Sequence, residues 1–408
     1  MKKITLNDII NFLLFFYILS IYLLTYREGL NTISNAIAFL LIVFIWMNVL
    51  LNRRKLIYNK LLFIFLIFIA ICTISIFYAL DQSISISKVK TLILIYIVMI
   101  SLVNYIDDYD KLRKTIIYFV YSGLLASIYI LVNSDLSQVT RFGRILGNVN
   151  AIGMIIGISA TFCYYIILIE KKYLYLPFLT IMILTILLTG SRKSLLFIIM
   201  NVIIISYLRN RNGLKNKFKF AVIAIMILFI TYYLLFNIPF FYQIIGIRVE
   251  TMLDFVFGEG TNEGSINTRA YMIQVGIEFI KNKPLTGYGI NNYRVLYSSV
   301  LGGRDTYAHN NYIELMVDTG IFGVLIYYLI HVIMLKNLLK SSSLATNKTI
   351  YFVFAAIIIS YMVLALSLVY YDSKHFSFVL TLASIITNIV IVDKSNKIEN
   401  SKEKQISI

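Results

Sequence analysis

Charge is what this sequence has least of: Asp, Glu, Lys and Arg make up 14% of its 408 residues, while 59% carry hydrophobic side chains. A soluble domain needs a polar surface, and a chain with a mean hydropathy of +0.82 lacks the residues to build one. Cysteine is also sparse. Cys72 and Cys163 fall inside apolar runs without zinc-ligand spacing, so neither a disulfide framework nor a zinc site is expected. No tandem repeat, low-complexity tract or dinucleotide fingerprint occurs. The Gly-x-Gly of "GYGINN" has no βαβ unit around it, which excludes a nucleotide site of that type.

What the chain has instead is a succession of apolar runs of about 20 residues, the length needed to cross a hydrocarbon core of roughly 30 Å. Twelve are readable, near 8–26, 33–51, 61–80, 89–104, 114–133, 150–169, 173–189, 193–208, 219–237, 320–337, 349–371 and 375–393. The expected fold is therefore all-α: a polytopic integral membrane protein with about 12 transmembrane helices, in direct contact with the lipid bilayer. The expected organisation is helices 1–9 over 1–237, one large external loop over 238–318, helices 10–12 over 319–393 and a disordered cytoplasmic tail from 394. The start, "MKKITLNDIINFLLFFYILS", has a basic head and an apolar run but no small-residue cleavage site, and reads as a retained first helix.

A net charge of +17 would suggest a nucleic-acid partner in a soluble protein. Here the positive-inside rule accounts for most of it, and no nucleic acid is expected. With Met1 in the cytoplasm, the seven inner segments hold 23 of the 37 Lys and Arg residues, so both termini read as cytoplasmic. The kind of cation is more telling than the number. The inner segments carry 18 Lys and 5 Arg, the remainder 6 Lys and 8 Arg. Lysine suffices for topology, whereas the planar fork of arginine suits a bidentate grip on phosphate or carboxylate. An anionic ligand on the outer face follows as the expectation.

Three outer clusters carry cations: "RFGRILGNVNAIG" from Arg141, "LTGSRKSLL" with Arg192 and Lys193, and Arg269 near the start of a helix read in the large loop. That helix is expected to open at Asn267 or Thr268 and stop before Pro284. Arg192 and Lys193 sit in so short a connection that they must lie near the membrane face, where snorkelling to lipid phosphates is the alternative to a ligand. For Arg269 the alternative is a salt bridge with Glu263. Gly287 and Gly289 follow, allowing positive φ and close backbone approach. The densest polar stretch is "DTYAHNNYIELMVDTGIFG", from Asp305 to Gly323, read as a short two-faced helix over 308–318 at the membrane surface, ended by Gly320. His309 is its histidine. His331 and His375 fall within predicted spans, and arginines nearby would keep the His309 imidazole neutral and available as a base. The inner "DDYD" at 107–110 reads as a solvated loop, and no outer Asp-x-Asp pair is present to hold Mg²⁺.

The motifs "GNVNAIG", "LTGSRKS", "RAYMIQVGIEFIKNKPLTGYGINNY" and "HNNYIELMVDTGIFG", in that order among about twelve spans, resemble the O-antigen ligase and O-antigen polymerase family. Asp318 stands where Glu is commoner, and Lys193 where a small residue is usual. The resemblance implies a membrane glycosyltransferase on the outer face of the bacterial cytoplasmic membrane, using a glycan donor on undecaprenyl pyrophosphate, a glycan acceptor and no cofactor or metal. It implies pyrophosphate binding by Arg192 and Arg269 and proton removal from the acceptor hydroxyl by His309. Asn148, Asn150, Lys193, Asn310, Tyr312 and Glu314 are further candidate substrate contacts. The expected activity is polymerisation of lipid-linked repeat units into a capsule or O-antigen type polysaccharide, alongside flippase and chain-length regulator proteins. Ligation of the glycan to a lipid, protein or wall acceptor is the alternative. A polytopic carrier of an anionic substrate is the competing class, but it predicts broken helices at the bilayer midplane rather than polar groups gathered in one outer region.

Overall fold

The computed structural model describes residues 4–135, 141–210, 213–257, 264–300 and 305–389, and among them the chain is all helix and connection, with no strand. The expected tail from 394, Glu263 and most of the Gly-rich patch lie outside the described residues. Among the described residues nine helices are long and apolar enough to cross a membrane: α1 (Leu6–Leu23), α2 (Asn31–Leu51), α3 (Lys60–Ser75, continued to Tyr78), α4 (Gln82–Tyr105), α5 (Tyr109–Val132), α6 (Val149–Glu170), α8 (Arg192–Asn210), α9 (Leu214–Asn237) and α14 (Asn311–Ser342). The shorter apolar helices α7 (Leu176–Leu188) and α15 (Thr349–Leu364) and a final helix α16 over 374–389 complete the twelve runs read from the sequence. The protein is a polytopic membrane protein.

Side-chain caps start many of these helices, as they must where water cannot satisfy the first N–H groups. Thr5 and Asp8 form a reciprocal capping box on α1, and Asn59, Asp81, Asp108 and Asn148 accept from the first turns of α3, α4, α5 and α6. The centre of the bundle is α6, which packs against α5, α7, α8 and α15. Small residues make this approach feasible. A Cβ on Gly153 would lie 2.4 Å from Ser194 Oγ, and one on Gly157 2.8 Å from the Phe197 ring. By contrast, α9 sits at the perimeter and presents most of its apolar surface outward.

Between α9 and α14 run a single turn α10 (Pro239–Phe241), a π-helical turn Tyr242–Gly246, α11 (Ile247–Phe257), α12 (Gly264–Asn282) and α13 (Tyr293–Val300). Helix α12 begins at Gly264, earlier than the expected caps. Asn267 and Thr268 lie inside it, and the Thr268 hydroxyl donates to the Gly264 carbonyl at 2.6 Å. This region has its own apolar cluster, built on Met272, Val275, Tyr293, Tyr297, Ala308 and Val317.

Two departures shape the site. The expected surface helix over 308–318 is instead the buried first part of α14, continuous with the membrane helix and interrupted at Gly320, where φ is 62° and ψ is −166°. The interruption frees backbone groups, and the turn over 284–289 takes them: Tyr288 N–H donates to Val317 O at 2.8 Å, Gly289 N–H to Asp318 O at 2.9 Å and Ile321 N–H to Pro284 O at 3.0 Å. Helix α15 also ends at Leu364, short of the expected 371. Residues 365–373 return as irregular backbone, which tolerates burial here because Asn311 Oδ1 accepts from the N–H groups of Tyr370 (2.9 Å) and Tyr371 (3.2 Å).

Candidate active site

A cavity of about 550 Å³ opens where α6, α8, α14 and α16 begin. Its wall includes Asn148, Asn150, Lys193, Glu314, Asp372 and Lys374. Irregular backbone and polar side chains at a helix-bundle end are affordable where they line such a space.

Beside the cavity the arginines converge from separate segments. The Arg141 guanidinium donates to Thr189 O and to Asn150 Oδ1, each at 2.8 Å, tying the loop before α6 to the loop before α8. Arg192 reaches across to the backbone carbonyl of Arg248 in α11. Burial lowers the proton affinity of Arg141, and the charges of Arg248, Arg144, Arg192 and Arg269 lower it further, to about 10. Burial accounts for the largest part of this lowering and the neighbouring guanidinium groups for the rest, so positive charge is gathered here where a multiply charged anion would be stabilised.

His309 stands in the turn between this cluster and α14, in a left-handed backbone conformation with φ at 53°. Its ring lies 4.2 Å from that of Tyr307, centroid to centroid. Its Nδ1 is buried with no hydrogen-bond partner among the described residues. Burial first, then the charges of Arg269 and Lys193, bring the imidazole down to about 3, so it is neutral at physiological pH. Burial raises the Tyr307 hydroxyl, which Arg269 and a hydrogen bond to Asn148 partly offset.

The stretch after His309 fixes this turn. Asn310 caps α14 by accepting from Tyr312 N–H (3.0 Å) and Ile313 N–H (3.1 Å). Glu314, 1% exposed, accepts the Ala308 N–H at 2.6 Å and so holds the backbone next to the histidine. Asp318 is fully buried and accepts from Asn291 N–H (2.6 Å) and Tyr293 N–H (2.8 Å), cradling the "GINNY" turn. Tyr312 stacks on Tyr328 and donates to Met362 O at 2.8 Å.

Of the residues singled out from the sequence, His309, Arg269, Arg192, Lys193, Asn148 and Asn150 come together around the cavity and its cationic side. Glu314 reaches the wall, while the side chains of Asn310 and Tyr312 are engaged in capping and packing. Sequence reasoning passed over Arg141 and Arg248 as individual site residues, although the outer preference for arginine already contained them. It also assigned most of 365–375 to membrane spans. The polar "YYDSKH" interrupting two apolar runs was the available signal, and it supplies Asp372, Lys374 and His375 to the wall. Among the described residues, no group of three or more His, Cys, Asp or Glu is gathered in a way that could hold a metal ion.

Residues 177–328 match a protein-family model described as O-antigen ligase. The match runs from α7 to the middle of α14 and takes in Arg192, Arg248, Arg269 and His309. No curated protein matches the chain.

Proposed function

We propose that this chain, which belongs to the O-antigen ligase family through residues 177–328, polymerises oligosaccharide repeat units carried on undecaprenyl pyrophosphate, on the outer face of the cytoplasmic membrane. The observation that carries the reading is the meeting of an arginine cluster and a neutral, half-buried histidine beside one polar cavity where several membrane helices begin. Arg192 and Arg269, with Arg141 and Arg248 beside them, bind the pyrophosphate of the donor, and His309 takes the proton from the acceptor hydroxyl.

In this scheme the hydroxyl oxygen attacks the anomeric carbon, the bond from that carbon to the phosphate oxygen breaks, and undecaprenyl pyrophosphate leaves with the electron pair. Guanidinium forks stabilise the charge growing on the leaving group without a metal. An imidazole at about 3 is a weak base, but the pyrophosphate brings negative charge to the same arginines and so raises it toward the useful range. The donor thereby activates the base. Attack opposite the leaving group inverts the anomeric centre, and retention in the product would overturn the single displacement.

The test is reconstitution with a defined lipid-linked repeat unit and no other acceptor. A ladder of polymer is expected. Transfer only when a different lipid, protein or wall acceptor is added would make the chain a ligase.

A further inference from the structure

Among the cations of the cavity wall, Lys374 is held apart from any carboxylate. Lys374 opens α16, is half-buried, and lines the wall with Nζ held at 2.7 Å by both Asn31 Oδ1 and Asn35 Oδ1 of α2. These partners are neutral amides, which orient an ammonium without cancelling its charge. The nearest carboxylate in sequence, Asp372, is committed elsewhere: it pairs with Lys88, whose Nζ also lies 5.5 Å from the centre of the Tyr371 ring. Among the described residues no ion pair involves Lys374.

An ammonium desolvated at a cavity wall and fixed by two amide oxygens has one N–H and a full charge left for a ligand. In the reading above the arginine cluster takes the donor pyrophosphate, which leaves the Lys374 ammonium on the cavity wall for the other glycan. We infer that Lys374, positioned by Asn31 and Asn35, binds the carboxylate of an acidic sugar in the acceptor glycan. This rests on the glycosyltransferase reading for the word acceptor, but the binding itself does not depend on transfer.

The experiment uses the full chain purified in detergent, with ligand-detected saturation-transfer NMR on D-glucuronate, D-glucose and inorganic phosphate. Glucuronate is expected to bind at least about tenfold more tightly than glucose. Lys374→Met should weaken it by about the same factor, and Lys374→Arg should retain binding. Should Lys374→Met fail to fold, Asn35→Leu, which keeps the charge but removes one of its two anchors, is expected to weaken glucuronate binding as well. Equal binding of glucuronate and glucose, or unchanged glucuronate binding in folded Lys374→Met, overturns the inference. Displacement of glucuronate by equimolar phosphate would assign the site to a phosphate and overturn the carboxylate. Glucuronate binding lost in Lys374→Met, in a protein that makes no polymer, would uphold the subsite and refute only the proposed activity.

Discussion

The corner where α4 meets α5 and the arginine side of the cavity arrange their charges differently. At the end where α4 finishes and α5 begins, Asp107 pairs with both Arg54 and Lys111, and Glu170 takes Arg113 at 2.7 Å and Lys172 at 3.4 Å. The "DDYD" segment is thus a set of ion pairs and a helix cap rather than a merely solvated loop. On the arginine side Arg141 feels Arg144, Arg192, Arg248 and Arg269, and His309 feels Arg269 and Lys193. Ion pairs anchor the first region; in the second, cations lie near one another and perturb the groups between them, as happens at functional sites.

The largest effect should come from the histidine on the arginine side. His309→Ala is predicted to lower the initial rate of glycan transfer by about 10²–10⁴-fold, the usual contribution of general-base help, with the protein still inserted in the membrane. Wild-type chain extension by that variant would remove His309 from the chemistry. Next comes Arg192→Lys, which preserves charge but not the fork: we predict a loss of about tenfold in turnover, and turnover equal to wild type would return Arg192 to a lipid-snorkelling role. The matched change in the ion pairs at the α4–α5 corner, Arg54→Lys, should leave transfer unaltered and shift stability by no more than about 1 kcal/mol, as for exposed ion pairs generally.

The pH dependence gives a finer comparison. His309 acts when neutral, and its proton affinity is depressed from 6.5 to about 3 by burial and by Arg269 and Lys193. Activity should therefore persist on the acid side of the ordinary imidazole range and fall only as pH drops through the depressed value, raised to whatever extent bound donor allows. Arg269→Met removes one depressing charge, so the acid limb of the kcat/KM profile should move to higher pH. An unmoved limb would mean that Arg269 does not act on the titrating group. The scaffold offers a last contrast. Asp318→Ala leaves the buried Tyr293 N–H and the partly buried Asn291 N–H without their acceptor, at about 1–3 kcal/mol for the buried one, and should lower the melting temperature of the purified protein.

The sequence made the spans legible because hydrocarbon demands long apolar runs with internally bonded backbone, whatever the neighbouring helices do. The arginine and histidine motifs were legible through residue type and order. What could not be read was burial. The residues over 308–318 look like a surface helix because their polar side chains are numerous, yet Glu314 and Asp318 face backbone N–H groups rather than water. Nothing local announces that the partner strand of chain is the turn over 284–293. Likewise the run over 349–371 is apolar throughout 353–359 and beyond, and nothing in it shows that the backbone after Leu364 bonds to Asn311, more than fifty residues earlier.

That same Asn311 joins two things the chemistry must keep in register. Its backbone begins the helix that carries the histidine turn, and its carboxamide holds the Tyr370–Tyr371 backbone just before Asp372 and Lys374. The proposed base and the proposed acceptor wall are therefore tied together through one side chain, while Arg141, Arg192 and Arg269 come from separate segments of the chain.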